Sequence, residues 1–176
     1  MKVSLSVFFL CVLLASAGRA LAAPLPASCG DPKIKFDVKT QKDKQSPAAP
    51  APGKAQIVLL ERENQMVVPF SSATVRFGID GAWVGADYSN SYFTLDVDPG
   101  EHHLCANWQA TLEKVKNTTD LTTLTLEPGK VYYLAAHVTV TGSSGHAAVE
   151  FGLAQVDPDE GKFWLTQSKH STSKPK

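Results

Sequence analysis

From Lys54 to about Val156 the sequence is cut at near-even intervals by turn signals, and this punctuation constrains the fold more than any other feature. Between the cuts lie "KAQIVLLERE", "ATVRFGID", "AWVGAD", "SYFTLDV", "EHHLCANWQA", "LTTLTLE", "VYYLAAHVTV" and "HAAVEFGLAQV", all rich in β-branched or aromatic residues. Asp80-Gly81 is the dipeptide that supplies the two positive φ values of a tight hairpin turn. Asp98-Pro99-Gly100 and Glu127-Pro128-Gly129 place Pro where φ is preset and Gly where φ must be positive, as in a type II turn. "TGSSGH", from Thr141, is a looser loop of the same purpose. "FTLDVDPGEHHLCA" and "LTLEPGKVYYLAAHV" read as two hairpins of one design, each with an acid-Pro-Gly turn between alternating segments. The expectation is an all-β fold, an antiparallel β-sandwich of seven to eight strands over residues 54–168.

The chain opens with "MKVSLSVFFLCVLLASAGRALAAP": one early lysine, an apolar run from Val3 to Ala17, then small residues at Ala20 and Ala22. That order is the pattern of a secretory signal peptide over residues 1–22, with cleavage near Ala22 or Ala23. The run is shorter than the roughly 20 apolar residues of a membrane span. Lipid attachment needs a leucine and two small residues before a cysteine; "LPAS" precedes Cys29, with Pro26 where the leucine belongs, so lipoprotein anchoring is not expected. Cleavage removes Cys11 and leaves Cys29 and Cys105, which an oxidising compartment joins. Such a disulfide closes a loop of about 75 residues and stabilises by a few kcal/mol through the unfolded chain.

Lys plus Arg balance Asp plus Glu at 17 each, and the basic residues are scattered singly. No stripe of charge is available to neutralise a phosphate backbone, which excludes nucleic acid as the expected partner.

Outside the sandwich, "KIKFDVK" alternates Ile34, Phe36 and Val38 with charged residues, a short strand in an amino-terminal arm of residues 23–41. "KDKQSPAAPAPG", residues 42–53, is Pro- and Ala-rich without periodicity and reads as an extended, poorly ordered linker. The arm strand is then set apart from the main body, with Cys29 to tie it back. After the last sandwich strand, Asp157 can cap a helix, Pro158 suits its first position, and Asp159 and Glu160 complement its dipole. Gly161 weakens this short carboxy-terminal helix, and "FWL" suits a strand equally. The polar "KHSTSKPK", residues 169–176, is expected to be disordered.

The ligand-rich run "DVDPGEHHLC", Asp96 to Cys105, resolves once strand alternation is imposed. His102, Leu104, Ala106 and Trp108 point one way; His103, Cys105 and Asn107 point the other. Neighbouring histidines on opposite faces cannot share a metal, and neither C-x-x-C nor H-x-x-x-H occurs. His102 is expected at the core edge with one nitrogen bonded to backbone and its pKa lowered by burial. A metal alternative would gather His103, His137 and His146 from neighbouring strands. "GSSGH" lacks the G-x-S-x-G elbow of a serine hydrolase, and the acids of "DVD" flank a turn where acid is routine. No cofactor and no catalytic residue is read. Of the aromatics, Phe93 with Leu95 and Val97 makes an apolar face and leaves Tyr92 with Thr94 and Asp96 on the other. Trp83 beside the Asp-Gly turn and Tyr88 in "ADYSNS" are expected exposed, so the candidate binding surface is a loop end with Trp83, Tyr88, Asn90 and Tyr92.

"VRFGIDGAWVGADYSNSYFTLDVDPGEHHLCA" followed by "LTLEPGKVYYLAAHV" resembles the bacterial domain-of-unknown-function family two-eight-four-six. The shared features are a strand, a "DG" turn, "VG", an aromatic after a small polar pair, "PG.H" and "L..G..YY". The turn pattern is also similar to PEGA-type surface modules and transthyretin-like sandwiches, and covers Lys54 to about Lys162. The resemblance implies an exported, non-catalytic sandwich of unknown role, often a lipoprotein, from which the poor lipobox departs. The expected function is therefore a binding or structural module of the bacterial envelope, its partner an envelope protein or glycan, in the periplasm or secreted. The alternative is a periplasmic small-ligand or metal-binding protein using the histidines above.

Overall fold

The structure, a computed structural model, describes residues 25–41, 47–65, 74–109, 118–141 and 148–176. The expected signal peptide, residues 42–46 of the expected linker and His146 lie outside the described residues. The eight segments of the sandwich become β2 (Ala55–Gln65), β3 (Thr74–Ile79), β4 (Ala82–Tyr88), β5 (Ser91–Val97), β6 (Gly100–Trp108), β7 (Thr119–Leu126), β8 (Val131–Thr141) and β9 (Ala148–Val156). They are joined by β1 (Phe36–Gln41), α1 (Pro158–Leu165) and β10 (Lys169–Pro175). One sheet runs β1-β10-β5-β2-β8-β9, the other β4-β3-β6-β7.

The sheets face each other across one apolar core, as an all-β sandwich requires. Alternation supplies it: Ile57 and Leu59 from β2 and Leu134, Ala136 and Val138 from β8 meet Val75, Phe77 and Ile79 from β3 and Leu104 and Ala106 from β6. Phe77 and Phe93 close the gap edge to face, centroids 5.8 Å apart. A second cluster, Val58, Leu60, Tyr92, Tyr133 and Ala135, lies on the outer face of the six-stranded sheet, with Trp164 and Leu165 of α1 packed on it. The helix forms as its residues dictate, Asp157 accepting from the Asp159 N–H at 2.8 Å and Pro158 starting the first turn.

Among the described residues the turns form where they are expected, but two of them do different work; the loop expected from Thr141 to His146 lies, beyond Thr141, outside the described residues. Asp80 and Gly81 take φ of 50° and 89° and join β3 to β4 within one sheet. Gly129, at φ 73°, sits in a turn closed by the Lys130 N–H on the Glu127 carbonyl at 3.3 Å. Both acid-Pro-Gly turns, however, carry the chain from one sheet to the other: β5 to β6, and β7 to β8. They are corners of the sandwich, not the two hairpins read from the sequence, because turn chemistry fixes a reversal and not the partner strand. One consequence is that β2 pairs with β8 in parallel and with β5 antiparallel.

The ends correct two further expectations. Residues 169–176 are not disordered: β10 pairs with β1 antiparallel from Phe36↔Pro175 to Gln41↔His170, and with β5 in parallel at Ser91 and Tyr92. Its polar sequence hides this because Ser171 and Ser173 face the sandwich and bond its polar groups, Ser173 Oγ accepting from the Ala86 N–H at 2.9 Å. Nor is β1 set apart; it is the edge of the larger sheet, so the sandwich extends beyond 54–168 at both ends. Edge strands carry unpaired backbone groups that side chains can cover. Gln109 bonds both the N–H and the carbonyl of Phe36 on β1, and Asp120 accepts from the Leu153 N–H on β9 at 2.7 Å.

The arm crosses the outer face of the smaller sheet and is fastened there twice. Cys29 is bonded to Cys105, as expected, with Cα atoms 5.1 Å apart. Gly78, opposite Cys105 on β3, leaves room for the arm, since a Cβ there would lie 3.1 Å from Cys29 Cα. Arg76, 7 % exposed, donates to Asn107 Oδ1 at 2.8 Å and to the carbonyls of Pro32 and Ile34, with its guanidinium 4.3 Å from the centre of the Trp83 ring. Joining residues 76 apart, the disulfide should stabilise by roughly 2–5 kcal/mol. A Cys29→Ala/Cys105→Ala protein is expected to unfold at correspondingly lower guanidinium concentration, and reductant should shift the native protein alike; unchanged midpoints would refute the role.

Candidate functional site

Of the residues expected to form one aromatic loop end, Tyr88, Asn90 and Tyr92 lie at or beside the β4–β5 corner, and Trp83 does not. Trp83 starts β4, while Tyr88 and Asn90 lie at and beyond its other end, roughly 17 Å away at strand rise. Trp83 is no open platform: its indole N–H donates to the Asp31 carbonyl at 2.8 Å, and one ring face is taken by Arg76. Tyr92 is 2 % exposed, covered on the outer sheet face and in edge contact with His170 at 5.5 Å. Of the four, Tyr88 alone is exposed. Trp83 and Asn90 are half-buried, Trp83 beneath the arm, and Tyr92 is buried beside β10 and α1.

Beneath Tyr88 lies a feature that the sequence reading missed. Ser89 and Asn90, at φ 54° and 56°, form a two-residue corner from β4 to β5 in the left-handed region that side chains other than glycine avoid. β2 holds this corner: Glu61 Oε2 accepts from the Asn90 N–H at 2.5 Å, and Asn90 Oδ1 accepts from the Glu63 N–H at 3.2 Å. Asp87 accepts from the hydroxyls of Ser171 and, at 3.4 Å, Ser91. Glu61 and Asp87 are both fully buried, and each keeps one oxygen, Oε1 and Oδ2, without a hydrogen-bond partner. Burial pushes the Glu61 carboxyl up to about 8, against the Asn90 N–H, with Glu63 adding to the rise and Arg62 opposing it. Burial likewise raises Asp87 well above the carboxylate range, opposed by Ser171 and reinforced by Glu61. The pair is thus held in its protonated, uncharged form at mildly acidic pH. Its signal was present: after Ala55, Ile57 and Leu59, alternation carries Glu61 onto the core face.

The histidines divide. His102 sits at the core edge with Nε2 2.8 Å from the Asp98 carbonyl, as expected, but Nδ1 lies 2.6 Å from Asp80 Oδ2. Both partners accept, so the ring that satisfies them is the doubly protonated imidazolium. Burial lowers the His102 pKa, yet the bonds to Asp80 and to the Asp98 carbonyl outweigh it and the net shift is upward, the reverse of the sequence expectation. His102 therefore buckles the Asp-Gly turn to the β5–β6 corner. His103 points away from the core, 3.1 Å from Thr123 Oγ1. His137 lies on the outer face of the other sheet, its ring 5.3 Å from Trp164. The metal alternative fails for this pair, because β6 and β8 belong to different sheets and turn these residues to opposite sides of the sandwich. Among the described residues no group of three or more His, Cys, Asp or Glu is placed to hold a metal ion.

The candidate site is a groove of about 770 Å³ on the outer face of the six-stranded sheet. Its floor is Gln56, Tyr92, Val131 and Tyr133; one wall is Pro47–Pro50, the other the last turn of α1 with Leu165 and Thr166. The expected linker is thus in part a wall, held where the Ala51 N–H donates to Asp96 Oδ2 at 3.2 Å and Lys54 pairs with Asp98 at 2.7 Å. The opposite wall depends on Gly161, where a Cβ would fall 2.3 Å from Tyr133 Cγ, so the residue that weakens the helix is what lets it dock. Arg62 stacks at 5.0 Å from the Trp164 ring and secures the same helix. Within the groove Gln56, 4 % exposed, donates from Nε2 to Asp96 Oδ1 at 3.2 Å, and its Oε1 has no partner. A buried amide oxygen left so costs about 1–3 kcal/mol. The groove thus combines apolar side chains with the rings of Tyr92 and Tyr133 and the ammonium of Lys162, while the Gln56 oxygen stays buried beneath it.

No protein-family model matches the chain. No curated protein matches it either.

Two outcomes follow from this geometry. A carboxyl whose pKa is raised on folding favours the fold fully below its unfolded value, near 4.5 for Glu61, and loses that contribution as pH rises through the folded value of about 8. His102, also raised, acts in the same sense, whereas Asp80 and Asp98, both lowered in pKa, lose their contribution as pH falls through the carboxylate range. Thermal unfolding should thus show greatest stability at mildly acidic pH and a loss of up to roughly 5 kcal/mol toward pH 9. Glu61→Gln should flatten most of that slope; an unchanged slope would show that Glu61 is already ionised. Separately, Gly161→Ala raises helix propensity by about 1 kcal/mol yet is expected to lower the melting temperature, since the methyl displaces α1 from Tyr133. A higher melting temperature would contradict this packing.

Proposed function

We propose that this chain is an exported, non-catalytic binding module of the bacterial envelope, related to domain-of-unknown-function family two-eight-four-six, whose ligand seat is the groove between Pro47–Pro50 and α1. The observation that carries the reading is the groove itself, formed on the outer face of the six-stranded sheet between the Pro-Ala segment and α1. Export is supported by the signal-like opening of the sequence and by the Cys29–Cys105 disulfide, which belongs to an oxidising compartment. Among the described residues no helix is long and apolar enough to cross a membrane. Of the partner classes the sequence suggested, a glycan stacks on open ring faces, and Tyr92 and Tyr133 are only 2 % and 7 % exposed, so an envelope protein is favoured.

Expression with its leader in an export-competent bacterium should yield periplasmic or secreted protein beginning at Ala23 or Pro24; retention in the cytoplasm with Met1 intact would overturn export. A photo-crosslinking residue at Ala49, in the groove wall, should label a cellular ligand that the same group at Leu121, on the smaller sheet, does not. Thr166→Trp, which fills the groove mouth, should abolish that label. Equal labelling at both positions, or labelling indifferent to Thr166→Trp, would overturn the groove as the seat.

A further inference from the structure

We propose that the ribbon formed by β1 and β10 is a proton-sensitive latch, closed over the Glu61 and Asp87 carboxyls and parted from β4 and β5 when they ionise. Apart from Phe36 at one end, the ribbon brings no buried apolar side chain to the sandwich among the described residues, and neither apolar cluster includes any of its residues. β1 has β10 as its sheet neighbour, and β10 joins β5 through Ser91 and Tyr92. What holds the ribbon is therefore hydrogen bonding, and both acids take part in it. Ser171 donates to Asp87 Oδ1, which also takes the Ser91 hydroxyl at 3.4 Å. Glu61 acts one residue removed: it takes the Asn90 N–H, and the Asn90 carbonyl accepts from the Lys169 N–H at 3.2 Å, where β10 begins. Gln109 fixes the far end at Phe36, so the end at Lys169 to Ser171 is the one free to part. A segment with so little apolar burial opens at a lower free energy than the whole fold.

The acids supply the trigger. Both are fully buried, and Glu61 Oε1 and Asp87 Oδ2 have no hydrogen-bond partner, so two negative charges there would lack the solvation that water gives once the ribbon parts. Few other charges bear on them. On β2, Glu63 adds repulsion, and Arg62 offsets it from the outer face, where it stacks on Trp164. β8 sets Ala136 opposite Glu61, and β3 sets Val75 opposite Asp87. β1 turns Val38 and Thr40 inward and leaves Asp37 and Lys39 exposed. On β10, Lys169 and Lys174 are exposed and His170 turns to Tyr92 on the other face. Burial raises both carboxyls, Glu61 to about 8, so the latch is closed in mildly acidic solution and loses that hold as pH rises through this value.

Hydrogen–deuterium exchange of the oxidised protein tests this, with each amide's protection taken relative to the free peptide so that the intrinsic rise of exchange with pH cancels. Between pH 6 and pH 9 the protection of residues 37–41 and 169–174 is expected to fall about tenfold or more, while β8 stays better protected than the ribbon at every pH. Glu61→Gln keeps an acceptor for the Asn90 N–H and Asp87→Asn keeps one for the serines, so each should shrink the fall. Either variant decides the matter if the other does not fold. His170→Gln, on the opposite face of β10, should leave the fall intact. Ribbon and β8 amides of equal protection would mean that the ribbon opens only with the whole molecule, which overturns the latch. Ribbon protection that does not change with pH, a fall untouched in the acid variants, or one removed by His170→Gln overturns the role of the acids.

Discussion

Burial of both faces of β2 is the constraint on which the rest of this structure depends. A strand in a two-layer sandwich ordinarily buries one face and leaves the other in water. Here Ala55, Ile57 and Leu59 enter the core while Val58 and Leu60 lie under a second apolar layer completed by α1. Pairing with β8 in parallel and β5 antiparallel places β2 in the middle of the larger sheet. The helix and the Pro-Ala segment both exist, in structural terms, to cover its outer side, and the groove is the space they leave between them.

Because residues 55–61 of β2 have no wet face, the polar ones among them must be answered inside the protein, and they are answered incompletely. Gln56 has one half of its amide satisfied. Glu61 has one oxygen on the Asn90 N–H and the other without a partner, facing the field of Asp87. A buried acid pair persists by staying protonated, which ties the corner at Ser89 and Asn90 to pH. The imidazolium of His102 answers Asp80 and the Asp98 carbonyl near the other end of β4, and it too is held by protons. These devices sit at connections between strands, where the ladder itself offers no restraint.

The two ends of the described chain do the remaining work of closure. The arm is held on the smaller sheet by the disulfide and by Arg76, then joins the larger sheet as β1. β10 fills the position between β1 and β5 with hydroxyl side chains, and Ser171 and Ser173 reach across to Asp87 and the β4 backbone. Removing β10 would expose a strand edge and the acid pair at once.

The sequence by itself determined the class of fold, the positions of eight strands, the turn residues, the helix cap at Asp157 and the cysteine pair. All of these are local, written in alternation, in φ preferences and in side-chain chemistry within a few residues, or, for the cysteine pair, follow from there being only two cysteines beyond the signal-like opening. Tertiary structure alone decided the rest. An acid-Pro-Gly turn reads the same whether the next strand returns to its own sheet or crosses to the other, so the corners at Pro99-Gly100 and Pro128-Gly129 could not be told from hairpins. The serines of β10 carry no apolar signal, because their role is to bond groups supplied by β4. The exposure expected of Trp83, and the place of Tyr92 on an open binding surface, fail for the same reason: what covers them, α1, β10 and the arm, comes from segments distant in the chain. The groove was illegible for the strongest form of that reason, since its floor comes from β2, β5 and β8 and its walls from residues more than a hundred positions apart, and only packing brings them together.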